Sequence, residues 1–385
     1  MKLFINNLKK EFLKTILSLI ALFCLAACQS TDKKDNNNYS QAILQIPKEV
    51  AEIAILMPLS GSEEVLGQQY DELIKIGLSD GARNDLKVTS YDGSDDRKIL
   101  RAMDEIIARN TEIILGPISS PLTKLIAGRA LENNIIIFTL SNDPALADDK
   151  LFVFGHAPLK QLDRMLDYLF AKNCKNIITL LPAGHHSQAL NKIIQDSTIQ
   201  NNATLLRTEL YLSTPESIDR AVSIVSDTVD NLNETEDNIS KPVIYIADDR
   251  KNLRLLFGSI SKYNLDKKAI IVGDNRIDIG DQKEVDLIYT GSLNFLNSKL
   301  AIEAQEAGIY NMSAMHLISY DLGKVVARNI GEHFASKDLL NRINSKNSFI
   351  GLSGTLSFID SIVQRKYDII KRQEGIYSTI DSDKE

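Results

Sequence analysis

The chain has 385 residues, a formal net charge of −7 and three cysteines. An acidic balance with no basic patch and no aromatic-interleaved basic run argues against a nucleic-acid partner. After residue 28 no apolar run approaches the ~20 residues of a membrane-spanning helix, so no span is expected in that part.

The first residues carry a strong pattern. Lys2, Lys9, Lys10 and Lys14 precede an apolar run from Ile16 to Ala27 that only Ser18 interrupts. A basic leader, a short apolar stretch and small residues before a cut site predict a signal peptide over residues 1–27. The cut site, Leu25-Ala26-Ala27-Cys28, resembles the lipobox of bacterial lipoproteins. That resemblance implies a diacylglycerol on the Cys28 thiol, cleavage before Cys28, and a membrane anchor facing the periplasm. Gln29, rather than Asp, then implies the outer membrane if the source is Gram-negative. Residues 28–48 are rich in Asn, Asp and Lys and read as a flexible tether. With Cys24 removed and Cys28 lipidated, Cys174 stands alone, so no internal disulfide is expected and Cys174 reads as a small core residue.

The remaining chain, roughly 335 residues, suffices for two lobes with separate cores. Val50–Pro58 reads as a short buried strand, Gly67–Leu78 as a helix, Leu86–Tyr91 as a strand, and Lys98–Arg109 as an amphipathic helix. Glu112–Leu115 and Ile135–Thr139 read as buried strands, with a helix between them that Ser120 caps and Pro121 opens. Near-continuous Ile and Val runs separated by helices predict a parallel sheet covered on both faces. The alternation restarts after Gly155, with strands at 176–181, 205–211, 243–247 and 269–272. Residues 285–296 look like a return segment, Ser313–Phe334 a long helix, Phe349–Asp360 two short strands, and Arg365–Gln373 one final strand.

The predicted fold class is therefore α/β, with two doubly wound parallel-sheet lobes joined by a multi-strand hinge. The expected division is lobe 1 over 49–157, lobe 2 over 158–290, a return to lobe 1 over 291–345, hinge strands and the end of lobe 2 over 346–378, and a frayed tail over 379–385. Specific motifs sharpen this into a resemblance. Ile53 to Gly61, ending Pro58-Leu59-Ser60-Gly61, is similar to the first strand of type I periplasmic binding proteins. Gly116-Pro117-Ile118-Ser119-Ser120, then Ile135–Ser141, then Phe349–Gly354 with Phe358 and Asp360, resemble later elements of that family. The resemblance spans about residues 50–378. Within it, two branches match best: the leucine/isoleucine/valine-binding proteins, and the penicillin-binding protein activators. The lipobox and Gln29 look more like the second.

In such folds ligands sit beyond the carboxyl ends of the strands. The candidate cleft residues are Ser60, Gly61, Ser119, Ser120, Thr139, Ser141, His186, Asp248 and Asp274. The resemblance implies that Ser119 and Ser120 donate to a ligand carboxylate and that Asp248 and Asp274 receive an ammonium. Ser120 reads equally well as a helix cap. His186 stands where amino-acid binders often carry Tyr followed by Gly. No His or Cys flanks His185 and His186 at metal spacing, so no metal site is expected. G-x-S-x-G, a phosphate loop and H-E-x-x-H are all missing, so neither catalytic residues nor a cofactor are expected. The resemblance implies contact with a peptidoglycan synthase, or, in the other branch, with an ABC permease and a small polar ligand. The second case would use a hinge near Gly155, 273–295 and 345–355.

Overall fold

The computed structural model describes residues 52–81, 86–235, 241–248, 250–277, 285–295, 298–306, 309, 312–330, 336–345 and 347–383. The segments expected to be a signal peptide and a tether, with Cys28, lie outside them.

Strand β1 (Glu52–Met57) is apolar at every position after the first, and those five residues are buried, as expected of a strand covered on both faces. Helix α1 (Glu64–Asp80) follows, then β2 (Lys87–Asp92), α2 (Asp96–Ala108), β3 (Ile113–Leu115), α3 (Ser120–Glu132), β4 (Ile136–Thr139) and β5 (Leu151–Val153). Asp95 caps α2, accepting from the backbone N–H groups of Arg97 and Lys98. The chain then crosses into the second lobe. There α4 (Pro158–Ala171), β6 (Asn176–Pro182), α5 (His185–Gln200), β7 (Thr204–Tyr211), α6 (Pro215–Thr235), β8 (Val243–Ile246), α7 (Arg250–Lys262), the short α8 (Leu265–Lys268), β9 (Ile270–Asp274) and β10 (Leu287–Gly291) alternate. Helices α9 (Leu300–Glu306), α10 (Ala314–Asn329) and α11 (Ser336–Ile343) bring the chain back. Strands β11 (Phe349–Ile350), β12 (Thr355–Ile359) and β13 (Ile362–Lys366) complete the first lobe, and β14 (Asp368–Gln373) and β15 (Ile376–Asp381) the second.

The first sheet has the order β11-β12-β13-β5-β4-β3-β1-β2 and the second β15-β14-β10-β9-β8-β6-β7. Both are mainly parallel, with antiparallel edges at β11–β12–β13 and β10–β14–β15. This is the α/β, two-lobed architecture expected from the sequence. Alternate residues of β1 feed opposite cores: Ile53, Ile55 and Met57 join α1 and α10, whereas Ala54 and Leu56 join α2 and α3. In lobe 2, α6 and α7 cover one sheet face and α4 and α5 the other, where Cys174 is buried. Helices α1 and α10 meet backbone to backbone. A Cβ on Gly77 would lie 2.1 Å from the Tyr320 carbonyl oxygen, and one on Gly323 would lie 2.2 Å from that of Ile74.

Several expectations need correction. The single strand predicted over 365–373 is two strands in two sheets, β13 and β14, separated by Tyr367. Its continuous alternation cannot register a change of partner. Residues 379–381 are not frayed: they finish β15, whose backbone pairs with β14 although most of its side chains are exposed. Asp381 also receives Arg164 at 2.5 Å. The segment 285–296 contains a strand of the second sheet, β10, parallel to β9. The long helix ends at Asn329; positions 331–335 lie outside the described residues.

Candidate functional site

On lobe 1 the loops after β1 and β2 are tied together by Asp92. Its carboxylate accepts Ser60 Oγ at 2.6 Å and the backbone N–H groups of Leu59 (3.1 Å) and Ser94 (3.0 Å). Lys98 Nζ lies 3.1 Å from Asp92 and bonds Ser60 Oγ and Ser94 Oγ. Desolvation alone would raise the Asp92 pKa, but the bonds from Ser60, Lys98 and Ser94 outweigh it and hold the carboxyl down at about 2. Gly61 turns the loop with φ +80 and is exposed.

At the start of α3 the cap position is Ser119, not Ser120, and neither serine makes a side-chain cap bond. Ser120 Oγ instead lies 2.5 Å from Ser141 Oγ, which also accepts the Asp143 N–H. The helix begins one residue early because Pro121 is as acceptable at the second helical position as at the first. Thr139 is fully buried: its Oγ1 lies 2.8 Å from both the Pro117 carbonyl oxygen and Thr123 Oγ1, and accepts the Ser141 N–H. Thr139 thus holds the strand end together.

On lobe 2 both candidate carboxylates are buried and engaged. Asp274 receives Arg276 through Nε at 2.9 Å, Nη2 at 2.6 Å and the Arg276 backbone N–H at 2.9 Å. Its side chain is 1% exposed, against 28% for Arg276. The outward-facing charge is therefore the guanidinium. Asp248 accepts Tyr211 Oη at 2.5 Å and Asn252 Nδ2 at 3.3 Å. Both acids, to which the resemblance assigned a ligand ammonium, are engaged by donors of the protein itself. The His185 and His186 side chains lie outside the described residues. Among the described residues no group of three His, Cys, Asp or Glu is placed to hold a metal.

Near the crossings, Arg365 ties the end of β13 to the first crossing, at Phe154 and Gly155, and to the turn between β11 and β12. Its Nη1 and Nη2 donate to the Gly155 and Phe154 carbonyl oxygens, each at 2.6 Å, and its Nε to Ser353 Oγ at 3.2 Å. The guanidinium lies 5.0 Å from the Phe154 ring centroid. Ser353 Oγ donates to buried Asp321, which also takes the Leu352 and Ser353 N–H groups. Gly155 packs so closely that a Cβ would sit 2.2 Å from the Ser141 carbonyl oxygen. His156 Nε2 lies 3.1 Å from Gln161 Oε1. The His156 pKa is lowered to about 4, chiefly by burial and with help from the nearby charges of Arg276 and Arg365, while Asp274 and the bond to Gln161 only partly oppose the shift.

Lys98, His156, Arg276 and Arg365 were not among the sequence candidates. Arg276 stands two residues after Asp274, and that spacing was its available signal. Nothing local marks Arg365 as a hinge residue.

Two α/β lobes joined by three crossings, with candidate groups at the strand ends, define the type I periplasmic binding protein fold. The C-terminal domain of Haemophilus influenzae LpoA (YraM), a regulator of PBP1A, shares it at TM-score 0.61 and 16% identity, over 86% of this chain and 100% of that one. An ABC transporter substrate-binding protein from Sphaerobacter thermophilus shares it at TM-score 0.63 and 12% identity, over 87% and 97%. No protein-family model matches the chain. It belongs to the family of Uncharacterized protein RP748 of Rickettsia prowazekii, to which it is 48% identical over 377 residues, covering 98% of this chain and 100% of that protein.

Proposed function

We propose that the chain is a lipoprotein of the cell envelope, anchored through Cys28 and facing the periplasm, that regulates a peptidoglycan synthase by direct protein contact. The observation that supports contact over solute capture is the state of the cleft groups: Ser120 with Ser141, Asp248 with Tyr211, and Asp274 with Arg276 satisfy one another. A ligand ammonium would have to displace a bidentate arginine, and breaking a buried pair of this kind costs about 3–5 kcal/mol. The likeness to LpoA, itself a regulator of PBP1A, agrees with this reading. The lipobox-like Leu25–Cys28 supplies the anchor.

The test is capture of detergent-solubilised peptidoglycan synthases from the source membranes on the immobilised chain, followed by glycan polymerisation assays with and without it. Specific capture with a changed polymerisation rate supports the proposal. Absence of both refutes it. Cys28→Ala should move the protein from the membrane to the soluble fraction; continued membrane association would remove the anchor from the proposal.

A second reading, a solute receptor of an ABC importer, draws on the two-lobed hinge and the Sphaerobacter likeness. With Arg276 facing outward, its solute would present an anionic or neutral group to lobe 2. A thermal-shift screen separates the readings, because a ligand at a hundredfold its Kd adds about 2.7 kcal/mol.

A further inference from the structure

Among the described strands each sheet ends in two edges, and three of these four are blunted. Strand β2 carries exposed Lys87, which pairs with Glu52 at 3.6 Å. Strand β7 carries Arg207 and Glu209, 3.3 Å apart. Strand β11 has only two residues. Charge and short length protect a sheet edge from pairing with other chains. The fourth edge, β15, has neither protection. It is six residues long, and Ile376-Tyr377-Ser378-Thr379-Ile380 contains no charge and no proline. Asp381, at its end, is neutralised by Arg164. Two copies of this acidic chain can therefore meet along β15 without opposing like charges within the strand.

The hairpin fixes which way this edge faces. Glu374 (φ +52) and Gly375 (φ +77) form a two-residue turn of the kind that suits hairpins, closed by Gln373 and Ile376. The hydrogen bond of such a turn points the Ile376 N–H at β14. Backbone direction alternates along a strand, so Ser378 also faces β14 and Thr379 turns its N–H and C=O outward. Side chains alternate as well. Ile376 and Ser378 lie opposite Gln373 and Lys371, on the sheet face that α4 covers, whereas Tyr377 packs against the core beneath α6 and α7. Ile376 is 72% exposed and Ile380 36%, and Ser378 and Thr379 are exposed too. The bulge in the pairing with β14 falls past Thr379.

We infer that β15 pairs antiparallel with β15 of a second copy of this chain, about a two-fold axis at Ser378. That register is self-complementary. It sets the outward groups of Thr379 at a hydrogen-bonded position, Ser378 against its own counterpart at a non-hydrogen-bonded one, and Ile376 against the counterpart of Ile380 on both sides of the axis. A slip of one residue opposes outward-facing backbone with inward-facing backbone and separates the isoleucines. The pairing joins the two second-lobe sheets into one. A strand pair of this length buries well under the ~800 Å² per partner of a standard interface, so the dimer is reversible, with a Kd roughly in the micromolar range. The inference does not rest on the synthase reading.

The test is sedimentation velocity of the full-length chain from about 1 to about 100 µM, which brackets that affinity. A concentration-dependent dimer is expected. Ile376→Lys, at an exposed position, should weaken it about tenfold and leave the Tm of the dilute chain unchanged. On mild oxidation Ser378→Cys should give a disulfide-linked dimer, because Cα atoms across a non-hydrogen-bonded pair lie about 4.5 Å apart, within disulfide reach. Thr379→Cys should not, since its counterpart lies two residues further along the strand, beyond the ~7 Å limit. The parent chain, oxidised alongside, accounts for Cys24, Cys28 and Cys174. A chain that stays monomeric throughout overturns the inference. So does a dimer that Ile376→Lys leaves intact, or a disulfide that forms at Thr379→Cys and not at Ser378→Cys.

Discussion

Arg365 offers the sharpest test of what holds the first crossing in place. Replacing it with Met keeps most of the stem's volume and removes the guanidinium fork. The carbonyl oxygens of Phe154 and Gly155 then each lose a donor at 2.6 Å, inside a site closed to water. A buried polar group left unsatisfied costs about 1–3 kcal/mol, so the two carbonyls alone account for roughly 2–6 kcal/mol. Asp321 loses its nearby cation but keeps three donors from Leu352 and Ser353. That places the total near the ~3–5 kcal/mol typical of a broken buried charge. Urea unfolding should show the loss as a lower midpoint at unchanged slope. Arg365→Lys should recover only part of it, since a single ammonium cannot span both carbonyls. Asp321→Asn should cost less in the Arg365→Met background than in the parent, because the two residues share Ser353. A loss below about 1 kcal/mol would refute the assignment of Arg365 as the tie between β13 and the first crossing.

Other substitutions probe the remaining parts. Gly323→Ala should destabilise by about 1–3 kcal/mol, seen as a lower Tm, because the new methyl meets the Ile74 carbonyl. Asp92 has its pKa depressed to about 2, against about 3.9 in an unfolded chain, so its contribution is complete above pH ~4 and lost as pH falls through ~2. Asp92→Asn should flatten the acid limb of the Tm–pH curve across that window; an unchanged limb would show that the loop network carries no such linkage. Arg276→Met should cost about 3 kcal/mol by stranding buried Asp274, and adding Asp274→Asn should restore part of that loss in the same urea assay.

The fold was legible because β1, β3, β4, β8 and β9 are short Ile- and Val-rich runs separated by amphipathic helices. That pattern encodes burial on two faces without reference to the rest of the chain. The hinge was not legible in the same way. Arg365 looks like a polar residue in an alternating strand, and only its meeting with Gly155, 210 positions earlier, gives it a role. The site was half legible. Motif position placed Ser60, Ser120, Ser141, Asp248 and Asp274 at strand ends, but their partners are set by side-chain reach. Arg276 folding back on Asp274 reverses the sign of charge that the loop presents. Thr139 shows the same limit from the other side, since a strand-end hydroxyl turned inward closes a backbone turn.

The strand order also governs how the molecule is assembled. A chain that has emerged only as far as α11 holds ten strands but closes neither sheet. The flanks of β5 and β10 then remain bare, and bare apolar edges invite pairing with other chains. Both are covered by one C-terminal stretch, β11 to β15, which passes from the first sheet into the second at Tyr367. Contacts so distant in sequence slow folding and couple its last steps. The two lobes therefore reach completion together and late, and a truncation that removes this stretch takes an edge from each of them.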